Sequence, residues 1–193
     1  FQYILPSFKL SKFINTQKDI QENLKFEVLG VSEKRNTNVT ENYLINDLKY
    51  NSNSIISQKG FLSNFDIIYK NVMKKGSNSE NYSDNFESDN FISSILTTSL
   101  PMRKNYDNYK SNLVPKMSFR ISPFDSENIS SLDRRININN LFSDNRLSLL
   151  DSLEGGQSLT LGLDYDLINN RERKFFSTGI GQIFRDTDDE KLP

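Results

Sequence analysis

Between Ser158 and Asp166 the chain alternates without a break. Leu159, Leu161, Leu163 and Tyr165 fall on one side, and Ser158, Thr160, Gly162, Asp164 and Asp166 fall on the other. Successive side chains of a strand point to opposite faces, so a period of two specifies a strand with one apolar and one polar face. Asn169–Arg173 reads as a turn, after which Phe176, Thr178, Ile180 and Phe184 carry an apolar face back. Leu113–Ser122 repeats the pattern, with Leu113, Pro115, Met117, Phe119 and Ile121 set against Val114, Lys116, Ser118, Arg120 and Ser122. A membrane barrel and a soluble sandwich both use such strands. What lies between them has to separate the two.

Further strands are expected over Phe1–Ile14, around Leu24–Val28, over Tyr43–Tyr50, Phe61–Val72 and Phe91–Arg103. That makes about eight in all, most near the ~10 residues a tilted strand needs to cross an outer membrane. The connections after the first, third, fifth and seventh strands (residues 15–23, 51–60, 105–108 and 169–173) are mostly short. Those after the second, fourth and sixth (33–40, 74–88 and 123–156) tend to be longer. Short turns on one side and long loops on the other is the asymmetry of bacterial transmembrane barrels, and a sandwich has no reason to sort its loops this way. Within the longest connection, Asp144–Leu153 is expected to form a short helix, with Ser143 as its N-cap, Leu147, Leu150 and Leu153 at helical spacing, and Gly155-Gly156 as its stop.

Composition narrows the chemistry. The 193 residues hold no cysteine, histidine or tryptophan, which excludes disulfides, thiol chemistry, histidine acid–base catalysis and most zinc sites. Lys and Arg number 24 against 25 acids, so no long-range field steers this chain to nucleic acid. Only 35% of residues are hydrophobic, yet 14 Phe and 8 Tyr at regular positions argue against disorder. No apolar run approaches the ~18 residues of a transmembrane helix. The chain starts at Phe1 in mid-strand, and we read it as a piece of a longer protein with a signal peptide and a periplasmic domain expected ahead of it.

The run NLFSDNRLSLLDSLEGGQSLTLGLDY, followed by FFSTGIGQIFR, resembles the barrel domain of the LPS-assembly outer membrane protein family (LptD, also called OstA). The matching positions are Asn140, Leu141, Phe142, Asn145, Arg146, Ser148, Asp151, Thr160, Gly162, Gly181, Gln182 and Ile183, and the strand pair at Ser99–Lys104 and Leu113–Pro123 is similar to the one that precedes this loop in the family. The resemblance implies an all-β fold, an antiparallel transmembrane β-barrel at the large end of the known range, roughly 26 strands. Residues 1–193 would form part of that one domain. It further implies lipopolysaccharide as cargo delivered to the outer leaflet of the cell outer membrane, an LptE-like lipoprotein plug in the lumen, and a periplasmic LptA-like bridge reached through a domain not in this chain. No cofactor is implied. Well-known members have cysteines bridging periplasmic domain and barrel, so here those bridges lie outside this stretch or are missing from the lineage.

In such a barrel Lys116, Arg120, Thr160 and Asp164 point into the lumen, while Leu113, Met117, Phe119, Ile121, Leu159, Leu161, Leu163 and Tyr165 meet outer-membrane lipid. Lys116 and Arg120 then either attract lipopolysaccharide phosphates or touch the plug, or they are ordinary lumen lining paired with acids such as Asp164; the second reading is the plainer. Asn145, Arg146 and Asp151 are expected to fasten the long loop over the barrel mouth. Asp186, Asp188, Asp189 and Glu190 lack the spacing of a calcium loop and read as a solvated segment, so no metal site is expected. No nucleophile constellation or paired carboxylates point to an enzyme. The other function classes are a porin-type or TonB-dependent-type channel and a soluble β-rich binding module.

Overall fold

The computed structural model describes residues 2–14, 23–35, 38–126, 128, 130 and 135–186. Among them are ten strands and no helix: β1 (Gln2–Ile14), β2 (Asn23–Arg35), β3 (Thr40–Asn51), β4 (Ile55–Ile56), β5 (Leu62–Ser77), β6 (Glu87–Ser99), β7 (Met102–Asn105), β8 (Tyr109–Ser122), β9 (Gly156–Asn169) and β10 (Lys174–Arg185). They form one antiparallel sheet in the order β1-β2-β3-β5-β6-β8-β9-β10, with β4 on β5 and β7 on β8. Adjacent long strands follow one another in sequence, joined by hairpins and by the one long loop. The path is open, with β1 and β10 at its ends.

Most of the long strands run past the bounds expected from hydropathy, because backbone pairing does not stop where side chains turn polar, whereas β1 stays within Phe1–Ile14 and β6 stops at Ser99. Glu33, Lys34 and Arg35 stay in the β2–β3 ladder, with Glu33 opposite Glu41 and Lys34 opposite Thr40. The connection expected to be long after the second strand therefore shrinks to residues 36–39, and the sorting of loop lengths rests on 78–86 and 123–155 instead. Pro6 falls where the β1–β2 register shifts between Ile4 and Ser7, whereas Pro115 keeps its register opposite Leu163. Leu100-Pro101 interrupts the partner of β8 without changing register: Ser99 faces Lys116, and Met102 faces Leu113.

The expected helix at 144–153 is absent. Residues 144–147 form turns, and Ser148 has a φ of +53°, outside any right-handed helix. The carbonyls that would carry the helical ladder are taken by other donors. Those of Ser143 and Asp144 accept from Arg120, and that of Leu150 accepts from Lys70 Nζ. The leucine spacing serves packing without a helix: Leu147 and Leu153 are buried, and Leu150 is exposed. Asp188, Asp189 and Glu190, and nearly all of the first connection, lie outside the described residues.

The chain divides into two compact units, one of Phe1–Ser52, Ile67–Ser93 and Leu150–Leu153, the other of Asn53–Asp66, Ser94–Leu149 and Glu154–Pro193. In the first, Ile45, Ile68 and Val72 are buried on the same sheet face as Glu41 and Lys70. Lys70 pairs with Asp47 at 2.8 Å, and its bond to the Leu150 carbonyl is 2.9 Å. Glu41 accepts hydrogen bonds from Ser79 Oγ (2.6 Å), Asn81 Nδ2 (2.9 Å) and Arg35 Nη2 (3.3 Å), which draws the 78–86 connection over that face. Tyr82 of this connection donates to Asp151 at 3.1 Å. Burial, reinforced by the Asp151 charge, pushes the Tyr82 phenol well above its ordinary range, so it stays a neutral donor.

Candidate functional site

In the second unit the usual sense of burial is inverted. On β8 and β9, Met117, Phe119, Ile121 and Leu161 are each 40–42% exposed, while Arg120 is 5% and Thr160 2% exposed. Ser118, Ser122 and Ser158 share the covered face. Isolated exposed leucines are unremarkable; a whole strand face of exposed apolar residues backed by buried polar ones is not. Strict alternation produces this arrangement, since both strands place every charged residue on the same face and cross-strand register aligns them. Arg120 lies opposite Ser158, which lies opposite Arg185; Ser118 lies opposite Thr160, and Thr160 opposite Ile183; Lys116 lies opposite Gly162, and Gly162 opposite Gly181.

Residues of the long loop cover this polar face. Arg146, 2% exposed, donates from Nε to Glu154 Oε2 (2.6 Å), from Nη1 to Thr160 Oγ1 (3.0 Å) and from Nη2 to Ser158 Oγ (2.8 Å), with a second Nη2 contact to Glu154 Oε1. Arg185 Nη2 reaches the same Glu154 oxygen at 2.8 Å. Arg120 donates to the Asp144 and Ser143 carbonyls at 2.8 and 2.9 Å. Two guanidinium groups, of Arg146 and Arg185, thus bind one buried carboxylate, and that of Arg120 donates to backbone carbonyls of the loop. Burying charge is tolerable only with such pairing. Ile136, Leu147 and Leu149 pack together within the loop itself.

Two strand glycines make room for the loop. A Cβ at Gly181 would fall 2.1 Å from Leu141 Cδ2, and one at Gly162 would fall 2.6 Å from the Phe142 ring. A side chain at either position would lift the loop off the sheet. Gly181→Leu is therefore expected to cost about 1–3 kcal/mol of loop docking. Limited proteolysis should then cut residues 137–149 faster than in Gly179→Ala, where the nearest atom, Ile138 Cγ1, is 3.0 Å away. Equal resistance of the two variants would contradict this packing.

The residues singled out from sequence are not all in one place. Arg120, Arg146 and Thr160 come together around Glu154 and Ser158. Lys116 pairs with Asp164 one row further along, its Nζ 5.6 Å from the centre of the Phe142 ring. Asn145 closes a turn within the loop, its Oδ1 accepting from Leu149 N at 2.9 Å. Asp151 belongs to the other unit and meets Tyr82. Glu154, Ser158 and Arg185 were not anticipated. The available signal was a lone acid between Leu153 and Gly155-Gly156, a position with no reason to be charged unless a cation waits there.

The sequence profile of LPS transport system D, LptD, matches residues 68–193, well over half of the chain. The chain belongs to the LptD family. LptD proteins are outer-membrane β-barrels that take part in lipopolysaccharide transport, a transport component and not an enzyme. The matched region holds most of β5, all of β6 to β10, and every residue of the Arg146–Glu154 cluster. Comparison with curated proteins finds no match. Several positions of the LptD-like motif have distinct structural tasks: Leu141 and Phe142 seat on Gly181 and Gly162, and Arg146 binds the face that Thr160 presents.

Proposed function

We propose that this chain is part of an outer-membrane barrel that passes lipopolysaccharide to the outer leaflet. The apolar face of its strands meets lipid and the polar face meets the lumen. The observation that carries the reading is the inverted burial of β8 and β9, in a chain whose family works in the outer membrane. Outward apolar and inward polar alternation is what a lipid-immersed barrel requires. On this reading Lys116, Arg120, Thr160 and Asp164 line the lumen. Arg146 fastens the long loop to that face, Asn145 braces the loop internally, and Asp151 adds its bond to Tyr82. An LptE-like lipoprotein in the lumen and an LptA-like bridge, acting through a domain outside this chain, are the partners that fit. The chain itself has a structural and conducting role without a chemical step.

A porin-type or TonB-dependent-type channel is the alternative in the same membrane. Depletion of the protein separates the two. Loss of lipopolysaccharide from the cell surface with unchanged uptake of small solutes is the expected outcome. Normal surface lipopolysaccharide with impaired solute uptake would overturn the reading.

A further inference from the structure

The apolar face of the second unit carries a hollow and, nearer the short turns, a group of cations and tyrosines. The hollow, about 370 Å³, lies beside the strand interruption at Leu100-Pro101, and Phe61, Leu100, Pro115, Met117 and Leu161 give it an apolar lining. Leu100 N donates to the Pro115 carbonyl at 3.0 Å, and neither Pro101 nor Pro115 has an N–H to return. The polar groups at its edge are satisfied within the sheet, with Ser63 Oγ 2.9 Å from Thr98 Oγ1. Lys116 also borders the hollow, but alternation turns its ammonium to the covered face, where it pairs with Asp164.

Further along the same face, Met102 lies opposite Leu113 and Lys104 opposite Ser111, so Lys104 shares the apolar side of β7 and β8. Its Nζ is 5.0 Å from the centre of the Tyr106 ring, and Tyr106 stacks on Tyr109 at 4.5 Å. Residues 102–110 and 167–176, which hold the turns at 106–108 and 170–173, carry six cations against Asp107 and Glu172. Glu172 pairs with Lys110, and Lys174 pairs with Asp166. Lys104, Arg171 and Arg173 have no ion pair among the described residues. Tyrosines and basic side chains together suit the headgroup level of a bilayer, where ring tips stay wet and cations meet phosphate. Four residues separate Ser111, opposite Lys104, from Pro115 at the hollow, about 13 Å at ~3.3 Å per residue. Half of a ~30 Å hydrocarbon layer is about 15 Å, so headgroup level and hollow are one leaflet's depth apart.

We propose that this face binds an anionic phospholipid of the leaflet on the short-turn side, its phosphate at Lys104 beside Tyr106 and an acyl chain in the hollow at Leu100 and Pro115. The proposal rests on the reading that the apolar face meets lipid; on that reading lipopolysaccharide occupies the other leaflet, beside the long loops. The test uses the full-length protein in nanodiscs of equal phosphatidylglycerol and phosphatidylcholine, with retained lipids counted by native mass spectrometry. Wild type should retain phosphatidylglycerol several-fold over phosphatidylcholine. Lys104→Gln should bring the ratio close to one, and Lys34→Gln, beside the 36–39 connection of β2, should leave it unchanged. Leu100→Trp, which fills the hollow, should lower the phosphatidylglycerol retained, with folding checked by heat-modifiable migration. Lipopolysaccharide added to the nanodiscs should leave the phosphatidylglycerol in place. No headgroup preference in wild type, an equal fall of the ratio in both lysine variants, full retention in Leu100→Trp, or displacement by lipopolysaccharide would each overturn the site. Failure of the protein to enter nanodiscs at all would instead overturn the membrane reading beneath it.

Discussion

Replacing Arg146 with Ala is expected to open the loop over residues 137–149 about a hundredfold more often, without unfolding the sheet. Among the described residues Glu154 would keep Arg185 as its ion-pair partner, and Ser158 and Thr160 would lose the Arg146 donor. Removing one member of a buried pair typically costs 3–5 kcal/mol, because the remaining charge stays desolvated. The surviving Arg185 contact sets the expectation at the low end, about 3 kcal/mol, and each 1.4 kcal/mol is a factor of ten. Permeability to large antibiotics should rise while the amount of assembled protein stays constant. Wild-type permeability in Arg146→Ala would remove the loop from any capping role.

A second large effect is expected on the opposite face. Leu161→Arg puts a charge among Met117, Phe119 and Leu159, on the face proposed to meet lipid; Met117 is its cross-strand neighbour on β8. At the bilayer midplane this costs roughly 2–4 kcal/mol. The same charge already sits at Arg120 on the covered face, where carbonyl oxygens of Ser143 and Asp144 receive it. Leu161→Arg should therefore lower the level of assembled barrel sharply, whereas Leu161→Phe should leave it near wild type. Equal assembly of the two would show that this face does not meet hydrocarbon.

The strands were legible because their signal is local. Period-two alternation over Leu113–Ser122 and Ser158–Asp166 is the hydrogen-bonded register seen between β8 and β9, where Met117 faces Leu161 and Ser118 faces Thr160. The turn before β10 was legible for the same reason, from Asn169 to Arg173. The loop was not, because its conformation is set by partners far away in sequence. Leucines at helical spacing suggested a helix over 144–153, but Arg120 takes the carbonyls of Ser143 and Asp144, and Lys70 takes that of Leu150. Nor could spacing show that Gly162 and Gly181, on adjacent strands, meet Phe142 and Leu141. A glycine inside an otherwise apolar–polar strand is itself a hint of close approach. Here that hint was present at both positions, without the identity of what approaches.

In the proposed barrel the exposed apolar face meets lipid and the polar face meets water. Cysteine labelling in native outer membranes separates the two faces, because residues 1–193 contain no cysteine and any cysteine elsewhere in the protein is replaced beforehand. Positions 117 and 161 report the apolar face. Positions 116 and 164 report the polar one, where Lys116 and Asp164 remain partly open while Arg120 and Thr160 lie beneath the loop. A water-soluble maleimide is expected to modify 116 and 164 and to spare 117 and 161, and a lipid-phase probe to do the reverse. Equal modification of all four by the soluble reagent would show that neither face is immersed in lipid.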